Sequence, residues 1–427
     1  MKTLAHTLVA FGLTAVLAGG AHAQGMPSAA DKRAVLDAYA DIAKAGYEDS
    51  LATARALKTA VDGLVKRPSE AALKAAREAW LAARARYQQT EAFRFGNKIV
   101  DDWEGKVNAW PLDEGLIDYV SRDYAGAQSK NPLYAANVIA NPKIVLGAKT
   151  IDAGRITKAL LADTLHEFGK VEANVATGYH AIEFLLWGQD LNGTGPGAGN
   201  RPWTDYSRSR CGSGNCARRG VYLRAATDLL IDDLAWMVGQ WGPKGAARAA
   251  LLKTPDAGLA AILKGLGSLS YGELAGERMK LGLMLHDPEE EHDCFSDNTH
   301  NSHYYDVIGI GNVYRGRYMR TGGETVSGPS LGALVAKVDP GLDAEVRARL
   351  ADTEAAASRL KARAETVERY DQMIGKGNAA GNKAVQDVID ALVRQTRAFE
   401  KVVTRLKLQA VAFEGSDSLD NPAAVFK

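Results

Sequence analysis

Apolar side chains recur at helical spacing along most of this chain of 427 residues. In the segment from residue 69 to residue 94, Leu73, Trp80 and Tyr87 stand at heptad intervals and would line one face of a helix. Ser69 is a favoured N-cap residue, because its hydroxyl can accept a hydrogen bond from an amide of the first turn. The spacing predicts a helix that buries one apolar stripe against its neighbours.

The same periodicity predicts two more long helices. One covers residues 155–187, where Gly188 would end the helix, and the other covers residues 385–406. No convincing series of strand patterns alternates with these stripes, so the sequence predicts an all-α protein built as helical bundles. Three stretches lack the periodicity and are expected to be irregular: residues 96–120, 188–220 and 286–323.

The Gly-, Pro- and Ser-rich stretch 188–220 is the best candidate for a domain boundary. We therefore expect two packed helical bundles, residues 24–200 and 201–427, with the long irregular segments near the cleft between them. In each half a helix that bears a glutamate leads into an irregular segment, which ends in an apolar-Tyr stretch. Ile117-Asp118-Tyr119 would correspond to Asn312-Val313-Tyr314, and this faint repeat predicts an internal duplication.

The N-terminus has the features of a secretory signal peptide over residues 1–23. Lys2 precedes a nearly apolar run from Leu8 to Leu17, and Ala21-His22-Ala23 offers small residues at the positions that a signal peptidase recognises. No cysteine follows the run, so no lipid anchor is expected. Later segments are too short or too polar to span a membrane, and we expect a periplasmic protein without a transmembrane segment in the mature chain.

Charge and cysteine content limit the partners of the mature chain. Removing Lys2 from the 52 basic residues leaves 51, which equals the 51 acidic residues, so the formal net charge is zero. Nucleic-acid binders normally carry a basic excess, and no such partner is expected. Cys211 and Cys216 bracket a short stretch rich in Gly and Ser, and an oxidising compartment would let them form a small disulfide, which leaves Cys294 unpaired.

The sharpest chemical motif is Gly178-Tyr179-His180-Ala181-Ile182-Glu183. Residues three apart lie on one face of a helix, so the His180 imidazole and the Glu183 carboxylate can reach one point. Together they would supply half of a four-ligand metal site, and di-iron bundles place Glu and His at this separation on inward-facing helices. The alternative, which spacing alone favours, is a hydrogen bond between the two side chains without a metal.

The segments around this motif resemble the imelysin family, most closely its iron-regulated branch. The resemblance rests on four segments within roughly residues 35–415: Gly178-x-His180-x-x-Glu183 with FLLWGQD after it, TEAFRFG at 90–96, VNAWPLD at 107–113 with Ile117-Asp118-Tyr119 after it, and the stretch from His286 to His300. It implies a periplasmic or surface protein of two helical bundles that is linked to iron or haem acquisition. The metal-binding residues of the family would correspond to His180 and Glu183.

The family was named for peptidases, but the peptidase templates are poorly matched here. His166-Glu167 opens an HExxH pattern, yet Lys170 occupies the place of the second histidine. The inverted pattern needs a histidine directly after the glutamate, and Phe184 follows Glu183 instead. A metal-dependent peptidase at the same pair, with Glu183 activating a metal-bound water, is therefore the alternative function rather than the first.

Charged residues on an apolar face indicate further parts of the site. Glu91 lies one helical turn after Tyr87, and Arg94 shares that face. A buried charge is costly unless it is paired or coordinates an ion, so Glu91 is a candidate third ligand and Arg94 a candidate cleft residue. The alternative is an ion pair between the two. Glu277 and Arg278, just before the third irregular segment, are further candidates for the cleft.

The segment from His286 to His303 is dense in metal-ligating side chains. It holds four of the six histidines of the mature chain, together with six carboxylates. Such donors suit iron, zinc or calcium, and His286, Asp297 and His300 are the candidate ligands. The alternative is a solvated acidic loop with incidental histidines.

These patterns favour a periplasmic protein that binds iron, or an iron-containing ligand such as haem, and takes part in iron acquisition. Iron is the expected ligand, and zinc, calcium and haem are the alternatives, the last with His180 or a later histidine as axial ligand. An outer-membrane iron-uptake receptor is an expected partner by analogy alone. Since a ligating imidazole must be neutral, binding is expected to weaken as pH falls through about 6.5.

Overall fold

Helices provide nearly all the regular structure of residues 25–122, 124, 131–409 and 411–426, which the computed structural model describes. The signal peptide expected over residues 1–23 lies outside the described residues. The helices are α1 (Ala29–Lys66), α2 (Glu70–Gln88), α3 (Lys98–Asn108), α4 (Glu114–Ile117), α5 (Gly178–Trp187), α6 (Cys216–Gln240), α7 (Ala246–Leu251), α8 (Pro255–Ser268), α9 (Leu281–Leu285), α10 (Thr299–Arg315), α11 (Leu331–Val338), α12 (Pro340–Thr366), α13 (Tyr370–Ile374), α14 (Ala379–Arg405) and α15 (Asp417–Asp420).

The described strands form two short antiparallel hairpins, and the all-α prediction is confirmed. They are β1 (Lys143–Leu146) with β2 (Lys149–Asp152), and β3 (Arg317–Met319) with β4 (Thr325–Ser327). Two π-helical stretches, Leu160–Leu165 and Leu269–Lys280, accompany the α-helices, and the second continues α8 into α9. Within the described residues, none of the helices combines the length and the apolarity that a membrane span needs.

Helix α2 forms as its sequence predicts. The hydroxyl of Ser69 caps it by accepting a hydrogen bond from the backbone N–H of Ala72 at 3.2 Å. Trp80 and Tyr87 of the apolar stripe are buried. The indole Nε1 of Trp80 donates to the carbonyl of Tyr179 at 3.0 Å, so this face of α2 lies against α5.

The prediction of one helix over residues 155–187 is wrong for the first half of that range. The chain forms one π-helical stretch and then leaves helical geometry, with Glu167 at a φ of 50°. Helix α5 begins only at Gly178, whose φ is 81°. A Cβ at this glycine would lie 2.5 Å from the carbonyl oxygen of Val107, so the start of α5 packs directly on the last turn of α3.

Two segments that were expected to be irregular contain helices. Helices α3 and α4 lie inside 96–120 and α10 lies inside 286–323, whereas 188–220 has only the short 3₁₀ helix Trp203–Tyr206 before α6 begins. Helix α10 escapes a search for apolar stripes because the buried face of its first half is polar. The buried polar residues on it include His300, Ser302, His303 and Asp306.

Helix α2 is the element on which α5, from the first half of the chain, and α10, from the second half, both pack. Helix α1 packs against α2, α6 and α8, while α12 and α14 pack against each other. Helix α2 contacts α5 on one side and α10 on another. Helix α6 packs against α1 and α5, across the boundary expected after residue 200. The division into two bundles and the internal duplication stay predictions.

Candidate metal centre

The predicted pair His180 and Glu183 is buried on α5, with 2% and 0% of each residue exposed. Nδ1 of His180 lies 3.0 Å from Oε2 of Glu183, so the two side chains share a hydrogen bond. The other carboxylate oxygen, Oε1, accepts hydrogen bonds from the backbone N–H and the hydroxyl of Ser296 at 3.0 and 2.6 Å. Both oxygens of Glu183 are thereby engaged, and Nε2 of His180 points away from them.

Nε2 of His180 faces a small cluster whose central atom is Nη2 of Arg84, on α2. Nη2 lies 3.2 Å from Nε2 of His180, 3.3 Å from both ring nitrogens of His292 and 3.0 Å from Oδ1 of Asp293. The Nε–H of the same arginine also donates to Oδ1 of Asp293, and its Nη1 donates to Asn108. A single buried cation therefore holds two imidazoles and one carboxylate together.

The contact with Arg84 determines the tautomer of His180. A guanidinium can only donate hydrogen bonds, so Nε2 of His180 must accept and Nδ1 must carry the proton. That proton is donated to Glu183. The arrangement is the one that metal-ligating histidines adopt, in which a carboxylate takes the N–H and leaves the other nitrogen free for the ion.

His180, His292 and Asp293 have the composition of a metal site. One ligand atom from each lies within 4.8 Å of the other two, and this is the metal-like group found among the described residues. Two histidines with one carboxylate are the ligand set of many non-haem Fe(II) sites. The second oxygen of Asp293 accepts hydrogen bonds from Asn298 at 2.7 Å and from the hydroxyl of Ser302, which orients the carboxylate.

Burial sets the protonation states in this centre. It lowers the pKa values of His180 and His292 well below their usual value, and the charges of the buried arginines lower them further. Burial also raises the pKa of Glu183, and the charge of Asp293 adds to that effect. Both imidazoles are consequently neutral near pH 6.5, and the loss of metal binding expected at that pH shifts to lower values.

A second buried arginine organises the charges beside this centre. Arg278 donates to Glu91 at 2.8 Å and to Asp306 at 3.1 Å, and it also pairs with Glu273. Arg278 is close enough to lower the pKa of His180. The expected third ligand, Glu91, is therefore bound to an arginine, and it does not join the group of ligand atoms around His180.

The other predicted residues lie apart from the His180 cluster. Arg94 pairs with Asp101, Glu104 and Glu273 and thus not with Glu91 as the alternative had it. Nδ1 of His286 donates to the carbonyl of Ile374 at 2.6 Å, and Glu277 is exposed. Asp297 and His300 are buried, and each has a polar atom without a hydrogen-bond partner among the residues that the structure describes. Cys211 and Cys216 form a disulfide, and Cys294 is a free cysteine.

Arg84, His292 and Asp293 are site residues that the sequence motifs do not predict. A signal was present for Arg84, because it follows Trp80 by one turn and so places a charge on the apolar stripe of α2. His292 and Asp293 belong to the segment His286–His303, whose density of metal-ligating side chains does not indicate which of its members bind together. Another buried histidine, His303, finds no hydrogen-bond partner for either ring nitrogen within the described part of the chain, and its ring contacts that of Tyr370 edge to face.

Fold and site together define a predominantly helical protein with a buried centre of two histidines, an aspartate and an arginine. The imelysin family model matches residues 43–399, and the chain belongs to the imelysin family. Iron-regulated protein A of Synechococcus elongatus is 39% identical over 71 residues, which are 16% of this chain and 20% of that protein. The aligned region thus spans about a fifth of that relative.

Two solved structures share the fold. One is described as an iron-regulated protein A precursor from Parabacteroides distasonis, with a TM-score of 0.64 and 18% identity, covering 90% of this chain and 96% of that chain. The other is an imelysin-like protein from Psychrobacter arcticum, with a TM-score of 0.62 and 17% identity, covering 91% and 98%. At these identities the likeness concerns the fold alone.

Proposed function

We propose that the protein binds iron as an ion at His180, His292 and Asp293 and takes part in iron acquisition after export to the periplasm. The observation that carries this proposal is the position of Nη2 of Arg84, within 3.3 Å of all three candidate ligands. The guanidinium cation of Arg84 already occupies the position where these ligands converge. Iron would replace that cation, and the guanidinium would turn aside.

The donor set supports iron as the ligand. Two neutral imidazoles and one carboxylate match the Fe(II) sites that leave positions open for water or an exchangeable ligand. Glu183 has the supporting role: its carboxylate accepts the hydrogen bond that Nδ1–H of His180 donates, and this keeps Nε2 available. Iron-regulated relatives give independent support, since the names of two of the matched proteins contain those words.

Binding is better supported than peptide cleavage. His180, Glu183, His292 and Asp293 are each at most 2% exposed. An ion can reach such a place by a small opening, whereas a peptide bond needs a groove that admits a whole backbone. Both oxygens of Glu183 are also engaged by His180 and Ser296, which leaves this carboxylate poorly placed to activate a water. A metal-dependent peptidase stays the second proposal.

Titration calorimetry under anaerobic conditions tests the proposal with Fe²⁺, and parallel titrations use Zn²⁺ and haem. We expect saturable Fe²⁺ binding that weakens at least tenfold in the His180→Ala/His292→Ala variant. His286→Ala is the matched control, because its imidazole bonds to a backbone carbonyl outside the centre, and it should bind as the parent does. An unchanged Fe²⁺ affinity in the double variant would reject the site.

Two further outcomes would redirect the proposal. Peptide hydrolysis that a chelator abolishes, and that the His180→Ala/His292→Ala variant lacks, would replace binding by a peptidase function. A Soret band shift that depends on one of these histidines would replace ionic iron by haem. Fractionation of cells that produce the full chain tests export, and cross-linking in the same cells tests the proposed outer-membrane receptor as partner.

A further inference from the structure

The proposed metal centre is closed off from solvent, so an ion needs a route to it. His180, His292 and Asp293 are only 2%, 1% and 0% exposed. A route has to begin at a cavity that borders on the residues around these ligands, and the cavity has to admit an ion that still carries water. Ser296, three residues after Asp293, lines a cavity of this kind.

This cavity, the Ser296 cavity, lies at the surface and has a volume of about 450 Å³. Its walls are the loop at residues 196–198 after α5, Ser296 with Asp297, and residues 364–369 at the junction of α12 and α13. The Ser296 hydroxyl donates to Oε1 of Glu183 at 2.6 Å. Since the other oxygen of Glu183 bonds to His180, one carboxylate separates the cavity wall from the first candidate ligand.

The size of the Ser296 cavity suits a hydrated ion. An ion that keeps six waters needs about 180 Å³, at about 30 Å³ for each water, and the cavity exceeds that volume. A second cavity on the same loop, lined by Cys294 and Phe295, has a volume of about 10 Å³, which is close to the space that a single water needs. Of the two, the Ser296 cavity is the one that can admit Fe²⁺ from solution.

The wall of the Ser296 cavity offers a carboxylate to a cation. Asp297 is 5% exposed, and its Oδ1 has no hydrogen-bond partner within the described part of the chain. The other two wall carboxylates differ in this respect, because Glu365 pairs with Lys361 and Glu368 pairs with Arg363. A buried carboxylate oxygen that lacks a partner is costly, and a passing cation with its waters would satisfy it.

A short segment of chain forms the barrier between the Ser296 cavity and the centre. Asp293 lies three residues before Ser296, and three residues span at most about 11 Å even when extended. The backbone N–H of Gly199, next to the 196–198 wall, holds this segment by donating to the carbonyl of Phe295 at 2.9 Å. Rotation of the Ser296 side chain breaks its hydroxyl bond to Glu183 and loosens the barrier without unfolding a helix.

We propose that the Ser296 cavity is the entrance through which hydrated Fe²⁺ reaches the histidine centre, with Asp297 as the first protein group that it meets. The ion exchanges its waters for His180, His292 and Asp293 once Ser296 releases Glu183. No bond other than those to the ion forms or breaks, and the iron keeps its oxidation state. This inference rests on the proposed function, since it assigns a route to the same centre.

Rates of Fe²⁺ uptake and release test the entrance. A constriction raises the barrier between free and bound ion without changing either state, so it slows both directions equally. Thr366 lines the cavity and is exposed, and Thr366→Trp adds an indole there. We expect the association and dissociation rate constants each to fall by about tenfold, which corresponds to a barrier raised by about 1.4 kcal/mol, while the Kd stays unchanged.

The measurement uses anaerobic stopped flow with the full chain. Ferrozine traps the Fe²⁺ that is still free at set delays after mixing, and a ferrozine chase of the loaded protein gives the dissociation rate. Thr59→Trp is the matched control. Like Thr366, Thr59 is an exposed helical threonine that donates to the carbonyl four residues earlier, but it does not line the cavity, and the variant should show parent rates. Ala198→Trp, on the loop after α5, should repeat the effect of Thr366→Trp.

Two results would overturn the entrance. Parent rates in Thr366→Trp and in Ala198→Trp would mean that the ion takes another route, and a higher Kd at the parent association rate would make the cavity part of the binding site instead. If circular dichroism shows that Ala198→Trp does not fold, Thr366→Trp alone decides. Failure of the proposed function looks different: the parent chain itself would lack saturable Fe²⁺ binding, or the His180→Ala/His292→Ala variant would bind Fe²⁺ as tightly as the parent.

Discussion

Nη2 of Arg84 lies 3.2 Å from Nε2 of His180, on the side of the ring where a metal ion would bind. The same nitrogen contacts Asp293 at 3.0 Å, so one guanidinium neutralises the carboxylate and saturates the imidazole. Burying the charged carboxylate of Asp293 without a cation beside it would cost several kcal/mol. The arginine therefore makes the centre stable without a metal, and it is also the group with which a metal must compete.

Replacing Arg84 by glutamine should separate these two roles. Without the guanidinium, Asp293 loses its buried counter-charge, and we expect the free energy of unfolding to fall by roughly 3 kcal/mol or more. The affinity for Fe²⁺ should rise at least tenfold, because no protein cation is left to repel the ion. Urea denaturation and anaerobic calorimetry measure the two effects.

Arg86→Gln is the control for this exchange, since Arg86 lies on the same helix and its hydrogen bond to the carbonyl of Met319 is exposed. It should leave both quantities unchanged. Weaker Fe²⁺ binding by Arg84→Gln, with the fold intact, would mean that the arginine assists the ligand instead of competing with it.

Glu183→Gln should weaken Fe²⁺ binding by about 10- to 100-fold, the usual effect of removing a carboxylate that orients a ligating histidine. A glutamine amide can donate to Nδ1 of His180, which would move the ring proton to Nε2 and block the metal position. Glu277→Gln makes the same exchange at an exposed site and should bind Fe²⁺ normally. Calorimetry checks both variants, and equal affinities would show that Glu183 has no orienting role.

The pair on α5 illustrates what sequence can predict about this site. His180 and Glu183 belong to one helix, so helical spacing alone places the two side chains together. Their partner Arg84 lies 96 positions earlier, and its approach depends on how α2 packs against α5. No local pattern contains that information. The hydrogen bond, which was the alternative to a ligand pair, is present, and it is also what a ligating histidine requires.

Helix α10 shows where the periodicity argument fails. Its buried face carries His300, Ser302, His303 and Asp306 in positions where a typical helix carries apolar residues. A search for apolar stripes therefore predicts an irregular segment, although long helices such as α14 were predicted well. Departures of this kind are expected where function requires polar groups inside the protein.

The pH dependence of stability should contain a contribution from His300. Burial, followed by the charge of Arg369, lowers the pKa of His300 to about 4. Between pH 6.5 and 4 the unfolded chain binds a proton at this imidazole and the folded chain does not, so folding loses stability as pH falls. By pH 5 the loss should reach about 2 kcal/mol relative to pH 7, from 1.4 kcal/mol per pH unit.

His300→Gln removes this contribution while the other titrating groups remain. Urea denaturation of the variant and the parent between pH 7 and pH 5 should give curves whose difference changes by about 2 kcal/mol, with the parent losing more. Parallel curves would show that the imidazole is protonated in the folded state as readily as in the unfolded chain.

Gly178→Ala should destabilise the protein and disturb the metal centre together. The φ of 81° is unfavourable for alanine, and the new Cβ would lie 2.5 Å from the carbonyl oxygen of Val107. Strain and overpacking each cost about 1–3 kcal/mol, so we expect a loss of roughly 3 kcal/mol or more in urea denaturation. Because His180 follows two residues later, Fe²⁺ affinity should fall as well.

Gly63→Ala provides the matched exchange: Gly63 lies inside α1 with nothing within 4 Å of the added Cβ, and helix propensity predicts a gain of up to about 1 kcal/mol. If the two variants change stability in the same direction and by similar amounts, the close packing of α5 on α3 does not determine the position of His180.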